Sequence, residues 1–162
     1  MLVGYILSRM APVSIEAAME STRLPTLPKP VRDWLDAGLR EYRQRVIEES
    51  DARLAVAQKV LVPLILETMP THAIWVFGSV ARRACGESSD IDLLVVLDIQ
   101  AGEWTFPQKL ERQAQIARLA RRDGVPYALD VVLWTHSEFL RAQQCGSVFL
   151  ETVRSEGQKL YG

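Results

Sequence analysis

The sequence predicts an α/β (α+β) fold, a small mixed β-sheet flanked by helices. Two apolar runs of strand length, Ala73–Phe77 and Ile91–Leu97, stand close together in the middle of the chain. A third, Tyr127–Trp134, follows a stretch with helical periodicity. Helical spacing also dominates residues 31–69, so strands and helices are mixed along the chain rather than segregated.

Residues 1–30 carry no sustained period and end in a segment holding Pro25, Pro28 and Pro30, which favours an extended connector. They read as a weakly ordered leader with a short helix near residues 14–20. From Val31, the positions Trp34, Leu35, Leu39, Tyr42, Val46 and Ile47 predict a helix. A second helix is expected after Ser50 and Asp51, carrying Leu54, Ala57, Val60, Leu61, Leu64 and Ile65, with Pro63 kinking or dividing it. Both helices read as core and lid packing. After the first two strands, Phe106–Asp123 reads as a surface helix stopped by Gly124 and Pro126. Thr135 or Ser137 can cap a short helix through Phe139 and Leu140. Gly146 and Ser147 end it, and Val148, Phe149, Val153 and Leu160 predict a last helix.

At 162 residues the chain fits one domain with a substantial core. The expected division is a leader, 1–30, and a single domain, 31–162, whose helical segment spans 31–69 and whose core spans about 72–135. Its net charge of −1 supplies no global field for nucleic acid, so no strong nucleic-acid footprint is expected. Cys85 and Cys145 have no metal-ligand spacing and read as free thiols of a reducing compartment. The apolar start of the chain is too short to span a bilayer and lacks a basic region before it. A cytoplasmic protein without membrane attachment is the expectation.

Chemistry concentrates in Phe77-Gly78-Ser79-Val80-Ala81-Arg82 and Ser89-Asp90-Ile91-Asp92-Leu93-Leu94-Val95-Val96. Asp90 and Asp92 stand two apart at the start of a strand, so both side chains leave the same face, about 7 Å apart. Such a pair suits hard divalent cations, which take oxygen ligands. Gly78 and Ser79 offer unhindered backbone N–H groups and a hydroxyl to a polyphosphate. Asp130 interrupts an apolar strand and alternates with Ala128 and Val132, opposite Leu129, Val131 and Leu133. If its strand lies beside that of Asp92, three carboxylates converge and repel unless cations intervene. That makes a candidate for two Mg²⁺ ions about 4 Å apart. Arg82, one turn after Ser79, can reach a triphosphate as a charged donor.

Each of these residues also has an ordinary reading. Gly78-Ser79 alone is a strand-to-helix turn, Asp90 and Asp92 alone are a turn carboxylate and an exposed strand position, and Arg82 alone is a solvated charge. Their combination favours a site. His72, His136, Asp98, Glu103, Trp75 and Trp134 read as surface, loop or core residues.

Gly78-Ser79, Asp90-x-Asp92 and the later Asp130 together resemble the minimal nucleotidyltransferases of the DNA polymerase beta superfamily, over roughly residues 72–135. The resemblance implies a nucleotidyltransferase fold, ATP as substrate and Mg²⁺ as cofactor. It places the triphosphate on Gly78 and Ser79, with Arg82 as a further phosphate contact, and two metals on Asp90, Asp92 and Asp130. Arg83 departs from the pattern, because many relatives carry glycine after the arginine. Many minimal members resemble antitoxins paired with helical HEPN-type toxins, onto whose hydroxyl they transfer AMP. Transfer to a small molecule such as an aminoglycoside is the alternative enzyme reading. A catalytically slow nucleotide- or toxin-binding module is the alternative outside enzymes.

Overall fold

The computed structural model describes residues 28–99, 102 and 104–162. The expected leader helix near residues 14–20 lies outside the described residues. Helix α1 (Lys29–Val56) leads through a π-helical turn (Ala57–Leu61) into α2 (Val62–Thr68). Strand β1 (Thr71–Phe77), a one-turn helix α3 (Gly78–Ala81) and strand β2 (Ile91–Leu97) follow. Helix α4 (Phe106–Arg122), strand β3 (Leu129–Thr135), helices α5 (His136–Gln144) and α6 (Val148–Glu156) and strand β4 (Gln158–Tyr161) complete the order.

The four strands form one mixed sheet in the order β3-β2-β1-β4. β1 is antiparallel to β2 and β4, whereas β2 and β3 are parallel. Central β2 is apolar on both faces, and its residues Leu93 to Leu97 are all fully buried. On one face Ile74, Val76, Leu93, Val95, Val131 and Leu133 join Leu61, Ile65 and Ile116 in the main core. On the other, Ala73, Leu94 and Val96 meet Leu150 and Val153, with Phe139 and Phe149 packed around them. Helices thus cover both faces of the sheet.

Three expectations for the helices and strands need correction. The first two predicted helices are one, because Ser50 does not start a new one. Its hydroxyl donates to the Val46 carbonyl (2.7 Å), four residues back, and its buried Oγ accepts the Cys85 N–H (3.1 Å). The interruption comes later, where Pro63 has no N–H to return to Lys59 and its ring would crowd that carbonyl. The chain widens there, and the Val62 N–H reaches the Ala57 carbonyl five residues back. The early apolar positions of α1 are also not all core: Val31 and Trp34 are 41% and 69% exposed, and burial on α1 begins at Val46.

The last correction concerns Leu160, expected on the final helix and found in β4. Helix α6 ends at Glu156, and Gly157 turns extended (φ −81°, ψ 165°) at a point where a Cβ would overlap the Val153 carbonyl and lie 2.9 Å from the Val76 carbonyl of β1. Beyond it Gln158–Tyr161 run antiparallel to β1. The predicted cap at the start of α5 is Thr135, which forms a reciprocal pair with Glu138.

Candidate functional site

Parity along the strands brings the predicted acids together. Asp92 pairs directly with Asp130 across the parallel β2–β3 ladder, and with Phe77 across β1–β2. Both carboxylates share the sheet face of Leu94, Val96 and Val132, at the end where β1 stops and β2 and β3 start. Asp90 stands two residues before Asp92, just ahead of β2. Asp90 and Asp130 are exposed and Asp92 is half-buried, so this end of the sheet opens to solvent.

The Gly78 turn is built against the same carboxylates. Gly78 has φ +66°, the left-handed region in which side chains are strained. A Cβ there would overlap Asp92 Oδ2 and lie 3.0 Å from its Cγ. Ser79 follows in α3, its hydroxyl 3.5 Å from the Cys85 thiol. Arg82 caps α3 through its N–H on the Gly78 carbonyl (3.2 Å). Its guanidinium pairs with Glu156 of α6 at 3.0 Å, with both side chains about half exposed. Arg83 is the one non-glycine residue at positive φ (54°) among the described residues. Its guanidinium meets Asp51 of α1 at 3.1 Å.

The electrostatics at this end of the sheet are those of crowded like charges. Burial, then Asp130, then Asp90 push the Asp92 carboxyl up to about 6, against an opposing pull from Arg82. Among the described residues no three His, Cys, Asp or Glu side chains are assembled as a metal centre. The donor chemistry nonetheless fits a hard divalent cation. Three oxygen-bearing side chains face a solvent-open end, and repulsion among them is what a cation would relieve.

The raised Asp92 value makes a stability prediction. The folded chain holds a proton on Asp92 between pH 3.8 and about 6, where the unfolded chain has released it. That contribution is complete below 3.8 and is lost as pH rises through about 6. Asp92→Asn has no such loss. Denaturant midpoints of variant and parent, compared across this range, should diverge in the variant's favour as pH rises and stay parallel above about 7. A constant difference throughout would mean that the carboxyl titrates normally.

Beside Asp130 a depression of about 290 Å³ opens between α4 and β3, walled by Leu110, Gln113, Ala117, Leu129 and Val131. The Gln113 amide donates to the Val131 carbonyl on the β3 edge (2.5 Å). Sequence reasoning did not single out this depression, since its walls are ordinary helix and strand residues. It also missed Arg53, which is 1% exposed and bonds the carbonyls before Asp90. An arginine inside a helical pattern gives no signal of burial.

The family model described as Polymerase beta, Nucleotidyltransferase matches residues 62–161, more than half of the chain. The chain belongs to this family. The matched span holds the whole sheet of this nucleotidyltransferase and all of Gly78, Ser79, Arg82, Asp90, Asp92 and Asp130. No curated protein matches the sequence. Among solved structures it is similar to a candidate nucleotidyltransferase from Sulfolobus solfataricus, at 20% identity and a TM-score of 0.45, covering 59% of this chain and 78% of that one. It is also similar to a toxin-antitoxin solved with AMP-PNP, at 23% identity and a TM-score of 0.42, covering 63% and 70%. A mutant of the toxin-antitoxin MntA-HpeT is likewise similar, at 20% identity and a TM-score of 0.43, covering 65% and 73%.

Proposed function

We propose that this protein transfers AMP from ATP to a hydroxyl of a partner protein, in the cytoplasm and with Mg²⁺. The observation that carries the reading is the register that sets Asp92 against Asp130, with Asp90 alongside and Gly78 pressed on Asp92. Residues 31–162 act as a single domain, with 31–69 as its helical support.

Asp90, Asp92 and Asp130 hold the metal, and bound Mg²⁺ supplies charge stabilisation at the reacting phosphoryl group. The backbone at Gly78 and the Ser79 hydroxyl receive the β- and γ-phosphates. Arg82 leaves Glu156 to add a charge-assisted contact. The acceptor oxygen forms a bond to the α-phosphorus as the bond to the β-phosphate bridging oxygen breaks, and pyrophosphate leaves. Asp130 lies nearest the open β3 edge and takes up the acceptor's proton.

The acceptor assignment draws on the resemblance of the sequence to antitoxins paired with helical HEPN-type toxins. It also draws on exposure, since Asp90 and Asp130 lie at an open end of the sheet that a hydroxyl carried by a macromolecule can reach. The depression of about 290 Å³ beside Asp130 favours a second reading, a small acceptor such as an aminoglycoside.

The test follows label from α-³²P ATP onto a purified helical HEPN-type protein, with γ-³²P ATP as the control. Label from the α-position alone, dependent on Mg²⁺, is the expected result. Label on an aminoglycoside but not on the protein would replace the first reading by the second. Metal-dependent ATP binding without transfer to either would favour a binding module.

A further inference from the structure

Arg53, on α1, is 1% exposed. A guanidinium taken out of water is costly unless its N–H groups find partners. Here all five do. Nε donates to the Ser89 carbonyl (3.1 Å) and Nη2 to those of Gly86 (3.2 Å) and Glu87 (3.0 Å). Nη1 donates to the Glu49 carbonyl (3.1 Å) and carboxylate (2.5 Å). The Tyr127 ring covers the guanidinium, 4.3 Å from its carbon.

These partners are not scattered. Gly86, Glu87 and Ser89 form the loop that delivers Asp90, and Ser89 is the residue before it. Tyr127 leads into Ala128, whose carbonyl accepts the Ile91 N–H (2.9 Å) where β2 and β3 begin. One side chain therefore grips the segment before Asp90 and Asp92 and touches the segment before Asp130. A neighbour on α1 reaches the phosphate turn: Ser50 Oγ holds the Cys85 N–H, and the Cys85 thiol meets the Ser79 hydroxyl.

We propose that Arg53 is a positioning residue for nucleotidyl transfer, a buried clamp that fixes Asp90 and Asp92 relative to Asp130. This rests on the assignment of those acids made above. An apolar side chain could fill the space but would leave the loop carbonyls without their donor. What an apolar residue cannot do is hold three carbonyls in a fixed fan. Lysine, with its donors on one nitrogen, cannot span them either.

The test compares the parent with Arg53→Lys and Arg53→Gln. Titration calorimetry with a non-hydrolysable ATP analogue at graded Mg²⁺ gives the Mg²⁺ midpoint for binding. In both folded variants the midpoint should rise by about tenfold, as for other residues that orient metal ligands. The maximal rate should fall while KM for ATP at saturating Mg²⁺ moves less than about twofold. Amide exchange should quicken across 86–92 and 128–131. A purely structural residue would lower the folded fraction without moving the midpoint. An unmoved midpoint in a folded variant, or failure of both variants to fold even in the cold, overturns the proposal. A parent that binds no nucleotide with Mg²⁺ overturns the site assignment as well, so the two failures are told apart.

Discussion

Asp92→Asn should reduce nucleotidyl transfer by on the order of a thousandfold while making the metal-free protein more stable. The two effects have one cause. Asp92 stands opposite Asp130 and two residues from Asp90, and this crowding together with burial raises its carboxyl to about 6. At neutral pH the folded state thus carries an anion it disfavours, and an isosteric amide removes that charge without leaving a hole. On the proposed function, bound Mg²⁺ would reverse the balance, because the charge that weakens the metal-free fold is the one a cation needs. Asp90→Asn and Asp130→Asn should lose activity in the same direction. Their stability gains should be smaller, since both side chains are already exposed. Pyrophosphate release and transfer of α-label measure the first effect, and urea melts at pH 7 without metal measure the second. Full activity in Asp92→Asn would end the mechanism, and a destabilised Asp92→Asn would contradict the electrostatics.

The legible parts of this structure were those with a local pattern. Alternation in Leu129-Asp130-Val131-Val132-Leu133 set Asp130 opposite Leu129, Val131 and Leu133, whereas Asp90, read as part of the same strand as Asp92, stands just ahead of β2. Whether those strands were neighbours, and in what register, is a long-range matter that alternation cannot express. The mistaken elements failed for identifiable physical reasons. Ser50 is a good helix-starting residue by type, yet its hydroxyl turns back to Val46 and serves Cys85. Four residues with Gln158 and Lys159 at their head carry no strand signature, and β4 exists because β1 offers an unpaired edge. Arg53 reads as a solvated helix charge until the loop it holds is folded against it. Arg83, the departure from the resemblance, sits at φ 54°, a left-handed backbone that glycine adopts at less cost.

Gly78→Ala should impair the site more than Ser79→Ala, although it adds one carbon where the other removes one oxygen. Ser79→Ala deletes a single donor, worth roughly 1 kcal/mol in triphosphate binding, and should leave the fold as stable as before. Gly78→Ala strains a residue at φ +66°, at a cost of about 1–2 kcal/mol. It also directs its methyl into the Asp92 carboxylate, 3.0 Å from Cγ. The carboxylate must rotate away or the turn must retreat, and either movement separates the phosphate turn from the acids. Nucleotide affinity in Mg²⁺ should therefore fall at least about tenfold further than in Ser79→Ala. A double-mutant cycle isolates the contact from the backbone strain. With Asp92→Gly the methyl has nothing to strike, so Gly78→Ala should then cost the strain alone, and the two changes should couple by about 1 kcal/mol or more in stability. Additive effects would mean that turn and carboxylate are independent, and that Gly78 is required for its backbone conformation and not for its approach to Asp92.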